Sequence, residues 1–106
     1  MKDLDNRTVA WIFLAIALAS EVAPVTRRGI SEVADGINHA VPIDKELNGA
    51  IRLLQSLRFV QSSGKSLSLT EAGAAFVALA WLGQQTTSGV WQSLASALAK
   101  VPSGGL

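Results

Sequence analysis

Pro42 lies between two stretches of helical apolar spacing and constrains the fold more than any other residue. Before it, apolar side chains recur every three or four positions, at Ile30, Val33, Ala34, Ile37 and Val41. After it, the same spacing is found at Leu47, Ala50, Ile51, Leu54 and Leu57. Because proline lacks an N–H group and disfavours a helical residue before it, one helix cannot run through this point. The pattern therefore predicts two helices joined by a short corner.

The ends of these two helices carry capping signals. Thr26 can cap the earlier helix through its hydroxyl group. For the later helix, the cap position falls on either Ile43 or Asp44. At Asp44, a carboxylate would accept hydrogen bonds from unpaired N–H groups and meet the positive end of the helix dipole.

The periodicity changes after the helix that follows Pro42. Ser66–Leu69 alternates polar and apolar residues, which predicts a half-buried strand. The segment SSGK is the expected turn of a β-hairpin, with Phe59–Ser62 as the partner strand. Thr70 then caps a helix that ends near Gly83, and a last helix is expected over Val90–Val101, stopped by Pro102.

The apolar run Val9–Ala19 allows two interpretations. It is too short to span a bilayer, which needs about 20 residues. It could be a first helix, capped by Asp5 and running to about Glu21, that is buried on most sides. It could also be a signal-peptide core with cleavage before Ser20. The preceding segment MKDLDNR mixes acidic and basic residues, which favours the buried helix.

His39 is the only histidine, and the chain has no cysteine. Asp35 lies four residues earlier, so the two side chains could meet on one helical face and orient the imidazole. A metal site needs further ligands of the same kind, and no serine stands in a nucleophile-elbow sequence. We therefore expect no catalytic residue, no metal and no cofactor, and interpret Asn38 and His39 as donors to the free carbonyl groups of a helix end.

Residues 26–73 resemble the small winged helix-turn-helix proteins of the broad MarR and PadR kind. The resemblance is carried by ELNGAIRLLQSLRFV followed by SGKSLSLTEAG. Where that group has a glycine before its short strand, this chain has Arg58. The segment ADGINHAVP also resembles a small group of bacterial winged-helix proteins without a described activity. The resemblance implies a mainly α fold with a β-hairpin wing (α+β) and an extra C-terminal helix, as one domain over residues 1–106 with its core at 26–83.

The same resemblance implies binding to double-stranded DNA, with the helix after Pro42 in the major groove. Polar and basic residues opposite its leucine stripe are of the types that contact base edges and phosphates. Lys65 and Ser63 would belong to the wing, and Arg27 and Arg28 would meet phosphates at a helix start. The expected contact residues are Arg27, Arg28, Lys45, Asn48, Gly49, Arg52, Gln55, Ser63 and Lys65.

The charged fraction is only 16%, against about 25% in typical domains, so the chain has much apolar surface to bury. Helices 5–21 and 90–101 and the segment Ala74–Leu82 are apolar enough to cover a partner copy as well as one another. A two-fold dimer would present two reading helices. The residues expected to make it are Trp11, Phe76, Trp81, Trp91, Leu94 and Leu98.

The distribution of charged residues along the chain only weakly favours DNA binding. Residues 26–66 carry six of the nine basic and four of the eight acidic residues, and the net charge of the chain is +1. Asp44 and Glu46 would repel phosphate if they faced it.

The main hypothesis from the resemblance is a cytoplasmic, non-enzymatic DNA-binding regulator without membrane association. The alternatives are a winged-helix module that binds another protein, and an exported helical protein.

Overall fold

The computed structural model describes residues 5–101, which form five helices and one small antiparallel sheet. The helices are α1 (Asn6–Ala19), α2 (Arg27–Asn38), α3 (Asp44–Ser56), α4 (Glu71–Trp81) and α5 (Thr87–Leu98). The strands are β1 (Val25–Thr26), β2 (Val60–Ser63) and β3 (Ser66–Leu69). The predicted α+β class, mainly helical with a hairpin, is confirmed. Residues 1–4 and 102–106, including the predicted stop at Pro102, lie outside the described range.

Helix α1 is the centre of the core. Every residue over Val9–Ile16 is buried, and the helix packs against α2, α3 and α5 as well as β3. Trp11 is buried with its indole N–H donating to the carbonyl oxygen of Ala34 in α2 at 2.8 Å, so its polar atom is satisfied. The predicted buried first helix is therefore confirmed.

Three predicted side-chain caps are present. Asp5 accepts from the N–H of Thr8 at 2.7 Å and begins α1. The hydroxyl groups of Thr26 and Thr70 accept in the same way and begin α2 and α4. A fourth cap at Thr86 begins α5 at Thr87, so the predicted start at Val90 is wrong, because the threonine hydroxyl supplies a start signal within a linker-like sequence.

The corner between α2 and α3 begins earlier than predicted. Helix α2 ends at Asn38, and His39 adopts a left-handed conformation with φ 55°. Its backbone N–H donates to the carbonyl oxygen of Asp35 at 2.7 Å, so the backbone closes this helix end. Val41 therefore does not extend the apolar stripe of α2, and its side chain is exposed. Ile43 occupies the cap position of α3, without a side-chain hydrogen bond, and Asp44 is the first helical residue.

Helix α3 ends in a paired backbone cap centred on Arg58. The N–H of Phe59 donates to the carbonyl oxygen of Leu54, and the N–H of Arg58 donates to that of Gln55. This arrangement needs a left-handed residue, usually glycine, and Arg58 adopts it with φ 65°. A side chain in that conformation costs about 1–2 kcal/mol, which the two cap bonds and the buried segment around Phe59 offset.

The sheet has the order β1-β3-β2. Strands β2 and β3 pair from Val60↔Leu69 to Ser63↔Ser66, so Gly64 and Lys65 form a two-residue turn. Gly64 has φ 63°, which suits the first position of such a turn. Strand β2 thus runs one residue later than predicted at both ends. Strand β1, which was not predicted, pairs with the other edge of β3.

An aromatic cluster fixes α4 against the rest of the core. The rings of Phe13, Phe59 and Phe76 lie with centroids 4.6–5.9 Å apart, within the range for favourable aromatic pairs. Gly73 in α4 lies directly on the backbone of Phe59, and a Cβ at this position would overlap the Phe59 carbonyl group. The close approach of α4 to the segment after α3 therefore requires glycine.

Gly73→Ala is expected to lower the free energy of unfolding by about 1–3 kcal/mol, because the added methyl group must displace backbone. Gly36→Ala in α2 is the matched control, since nothing lies within 4 Å of its Cβ position. There, alanine should raise stability by up to about 1 kcal/mol through helix propensity. Urea unfolding of both variants measures the two values, and equal effects would contradict the close packing.

The Asp5 cap makes the stability of α1 depend on pH. The hydrogen bond from Thr8 lowers the pKa of the Asp5 carboxyl group from its ordinary 3.8. The carboxylate therefore stabilises the fold above about pH 3.8, and this contribution is lost as the pH falls through the lower folded-state pKa. Asp5→Ala should cost about 0.5–1 kcal/mol at neutral pH, at the low end because the cap is exposed.

In strongly acidic solution the same Asp5→Ala change should cost less. Asp5→Asn keeps a cap acceptor without a titrating group, so its stability relative to the wild type should improve as the pH falls. Urea unfolding at several pH values tests both expectations. An Asp5→Ala effect that stays constant down to strong acid would contradict this role of the carboxylate.

Candidate nucleic-acid interface

One side of α3 is polar and exposed. Lys45, Asn48, Arg52 and Gln55 are all exposed, whereas the opposite side of the helix is buried through Leu47, Ala50, Ile51 and Leu54. The spacing of three and four residues places the polar side chains on one face, as expected from the sequence. Gly49 is only partly exposed and lies at the edge of this face. The outward face of α3 thus carries two cations and two amides.

Arg27 joins this face from the start of α2. Its Nε donates to Oδ1 of Asn48 at 3.0 Å, in an exposed hydrogen bond between residues far apart in sequence. The bond uses the acceptor atom of the amide, so the NH₂ group is what Asn48 can offer to an acceptor such as a phosphate or a base edge. Two of the residues expected to contact DNA are therefore brought together.

Arg28 is directed differently. Its Nε lies 3.9 Å from a carboxylate oxygen of Glu32 one turn along α2, and both side chains are largely exposed. Such pairs contribute little to stability and leave the charge accessible, although the neighbouring carboxylate offsets it. The pairing links Arg28 to its own helix, and no hydrogen bond among residues 5–101 joins it to α3.

The tip of the hairpin carries Ser63 and Lys65, both exposed. Strand β2 packs against α3, and the paired cap at Arg58 fixes where the hairpin leaves that helix. The side chains of Gln61 and Ser68 form a long cross-strand contact of 3.4 Å on the exposed surface. The hairpin therefore presents hydroxyl and amide groups and one lysine, all of which can bind phosphate oxygens.

The two acidic residues at the start of α3 have different surroundings. Oε1 of Glu46 accepts from the N–H of Ile43 at 3.1 Å, so this carboxylate turns back to the helix start. Glu46 also lines a depression of about 230 Å³ with Asp5, Arg7, Thr8, Trp11, Asn38 and Trp91. Helical geometry puts it on the side away from Arg52. Only Asp44 is an exposed acid at the edge of the polar face.

His39 lies in the corner and is exposed. Because it follows the last residue of α2, its backbone rather than its side chain completes the helix end, which corrects the expected side-chain role. Among residues 5–101, no hydrogen bond joins the side chains of His39 and Asp35, and no three His, Cys, Asp or Glu residues are close enough to hold a metal ion.

Most of the residues expected in a dimer belong to the core of the single chain. Trp11, Trp91, Leu94 and Leu98 are buried, and the indole N–H of Trp91 donates to the carbonyl oxygen of Arg7 at 2.8 Å. Arg7 also covers the Trp91 ring, with its Cζ 4.3 Å from the ring centroid. Phe76 is partly buried in the aromatic cluster. These five side chains offer little surface to a partner. Of the six expected residues, only Trp81 has an exposed side chain.

Sequence reasoning missed the exposed apolar side chains. Leu79 and Leu82 in the α4 region, and Val41 and Ile43 in the corner, are each more than half exposed. The segment Ala74–Leu82 is apolar on all sides, so its spacing could not tell the buried side from the exposed one. The exposure of Val41 could have been predicted from Pro42, because a proline marks the end of the preceding helix and of its apolar stripe.

Comparison with protein-family models, curated proteins and solved structures gave no match. Within residues 5–101, none of the helices combines the length and apolar character required to cross a membrane.

Glu46→Ala should lower the free energy of unfolding by about 0.5–1 kcal/mol, because the N–H of Ile43 loses its acceptor. Glu46→Gln keeps an acceptor at the same distance along the side chain and should cost less. Chemical denaturation of both variants provides the measurement. If alanine and glutamine are equally destabilising, or neither has an effect, the carboxylate does not hold the start of α3.

Proposed function

We propose that this chain is a DNA-binding regulator of winged helix-turn-helix type, without catalytic activity. In this proposal α3 enters the major groove, the α2 N-terminus meets a phosphate and the β2–β3 hairpin acts as the wing. A cytoplasmic location belongs to the same proposal, since the protein would act where DNA is.

The order and pairing of the elements support the winged-helix interpretation. A short corner joins α2 to α3, and the hairpin follows α3 directly. Strand β1 lies immediately before α2 and pairs with β3, which ties the start of α2 to the hairpin. Such connections hold α2, α3 and the hairpin in fixed relative positions, as a surface that docks on a duplex requires.

The observation that carries the DNA proposal is the exposed α3 face bonded to Arg27. Lysine and arginine can neutralise phosphates, and asparagine, glutamine and arginine can pair with base edges. Lys45, Asn48, Arg52 and Gln55 supply these groups on one side of a helix long enough to follow the groove. The Glu46 carboxylate is directed away from this face, toward the N–H of Ile43, so only Asp44 would stand at its edge to repel phosphate.

A second candidate function is binding of another protein through the corner. Val41 and Ile43 flank Pro42 and are 64% and 61% exposed. Exposed branched apolar side chains next to Asp44 and Lys45 suit a protein surface with an apolar centre and charged rim. They contribute less to contact with a phosphate backbone.

DNA binding is tested by fluorescence anisotropy of a labelled mixed-sequence duplex titrated with protein at several salt concentrations. We expect binding that weakens linearly with the logarithm of salt concentration, because phosphate contacts release counterions. On this mixed-sequence duplex Arg52→Ala should also weaken binding and reduce the salt slope by about one, because it removes one cation from the α3 face. Lys65→Ala should reduce the salt slope by about one, as expected for one phosphate contact.

Lys100→Ala is the matched control, because it removes one exposed cation beyond α5, outside the proposed surface. It should leave both affinity and slope unchanged if binding is specific to α3 and the hairpin. Equal losses from Lys100, Arg52 and Lys65 would indicate only general charge attraction. No binding at low salt by the folded wild type would overturn the DNA proposal and favour a protein partner at the corner.

A further inference from the structure

The hydrogen bond between Arg27 and Asn48 fixes which way the Asn48 amide is oriented. Nε of Arg27 carries an N–H donor and cannot accept, so the Asn48 atom that lies 3.0 Å from it must be the amide oxygen. The two residues are 21 positions apart in sequence, and both are exposed. The NH₂ group is therefore the free end of the Asn48 amide on the outer face of α3.

The same bond limits which base Asn48 can recognise. An asparagine that reads adenine uses both ends of its amide, because the oxygen accepts from the N6 amino group while the nitrogen donates to N7. Here the oxygen already accepts from a guanidinium group. An adenine amino group brought to this oxygen would lie beside that cation, with one donor next to another. The NH₂ group, in contrast, keeps both of its hydrogens for acceptors.

Arg27 adds further donors next to this NH₂ group. A guanidinium group has five N–H donors and no acceptor, and the Asn48 oxygen takes only the donor on Nε. Among residues 5–101, no ion pair or hydrogen bond engages the two Nη groups of Arg27. Arg27 and Asn48 together therefore present several free donors and one acceptor that is already in use.

Grouped donors of this kind match the major-groove edge of guanine. Guanine presents two acceptors there, N7 and O6, whereas adenine presents one acceptor and the N6 donor. Asp44 supplies the opposite chemistry close by, since it is exposed and lies one turn before Asn48 on α3. Its ionised carboxylate can only accept, and the cytosine paired with guanine offers its N4 amino group as a donor.

We propose that Arg27 and Asn48 act as one unit that reads guanine, while Asp44 accepts from the amino group of the paired cytosine. The inference rests on the DNA-binding function proposed above and names the base pair that the α3 face selects. Arg27 thereby determines base preference in addition to contributing charge. Asp44, which would repel a phosphate, instead faces a base edge that carries a donor.

The first test compares two alternating duplexes of equal length, one made of inosine and 5-methylcytosine and the other of adenine and thymine. Inosine lacks the minor-groove amino group of guanine, so both duplexes present only acceptors in the minor groove, and the methyl groups are also matched. The donors and acceptors then differ only in the major groove. Fluorescence anisotropy at one salt concentration should show that the wild type binds the inosine duplex about fivefold or more tightly.

Arg27→Ala should abolish this preference, because the Asn48 oxygen becomes free to accept from adenine. Arg28→Ala is the matched control, since it also removes an exposed arginine from the start of α2, but one that lies beside Glu32. Arg28→Ala should weaken binding to both duplexes by the same factor and leave their ratio unchanged. Circular dichroism verifies that both variants are folded.

Asp44→Ala separates the two roles that this carboxylate could have. Removal of an acid that only repels phosphate should tighten binding to both duplexes by the same factor. Loss of a cytosine contact should instead lower the preference for the inosine duplex, and this is the result we expect.

The second test removes an acceptor from the base itself. In 7-deazaguanine a C–H group replaces N7, so a duplex of 7-deazaguanine and cytosine forms the same base pairs with one acceptor fewer in the major groove. Relative to the guanine duplex, this change should weaken wild-type binding by about fivefold. A variant with Arg27→Ala together with Asn48→Ala lacks both sets of donors and should bind the two duplexes equally.

The possible failures are distinguishable. A folded wild type that binds neither duplex at low salt overturns the DNA-binding function, and this inference with it. A wild type that binds both duplexes of the first test equally retains the DNA-binding function and overturns only the recognition of guanine. The same holds if the preference survives Arg27→Ala or if Arg28→Ala also abolishes it. An unchanged ratio in Asp44→Ala overturns the cytosine contact.

Discussion

The need to cover α1 on all sides organises this molecule. The segment Val9–Ile16 has no polar face, so packing on one side alone would leave apolar side chains in water. Helices α2, α3 and α5 and strand β3 of the hairpin therefore surround it. Its tryptophan contributes both apolar area and a polar atom, and the Ala34 carbonyl group accepts that N–H in the interior. The apolar sides of three other helices are thereby directed inward toward one helix, which makes the core continuous.

The two surfaces of interest follow from that arrangement. Because α1 takes the leucine stripe of α3, the opposite side of α3 must face solvent, and Lys45 and Arg52 are displayed there. Helix α4 packs mainly against α5 and the aromatic cluster and is at the edge of the molecule. Its outer apolar side is consequently left uncovered. A polar face with two cations and a largely apolar face are thus separated on different helices.

Local sequence signals predicted much of the fold because they act over a few residues. The hydroxyl groups of Thr26 and Thr70 cap helices within three positions, and the alternation of Ser66–Leu69 marks a strand without reference to the rest of the chain. Two features that were not predicted depend on distant contacts. Strand β1 has only two residues and exists because β3 offers its free edge. Arg58 adopts a glycine conformation because the cap of α3 and the packing of the Phe59 ring against Phe13 and Phe76 together hold it there.

The sequence by itself determined the helices around the Pro42 corner, the hairpin, and the polar composition of the outer side of α3, since spacing and capping are local properties. Only the tertiary structure decided which apolar side chains are core and which are surface. Trp91 and Leu79 are similar in apolar character, but one is closed over by α1 and Arg7 and the other is left exposed on α4. The tertiary structure also brought Arg27 to Asn48, 21 residues apart in sequence. Burial and long-range hydrogen bonds depend on which elements become neighbours. When a helix is apolar on all sides, its sequence does not indicate which side will be buried.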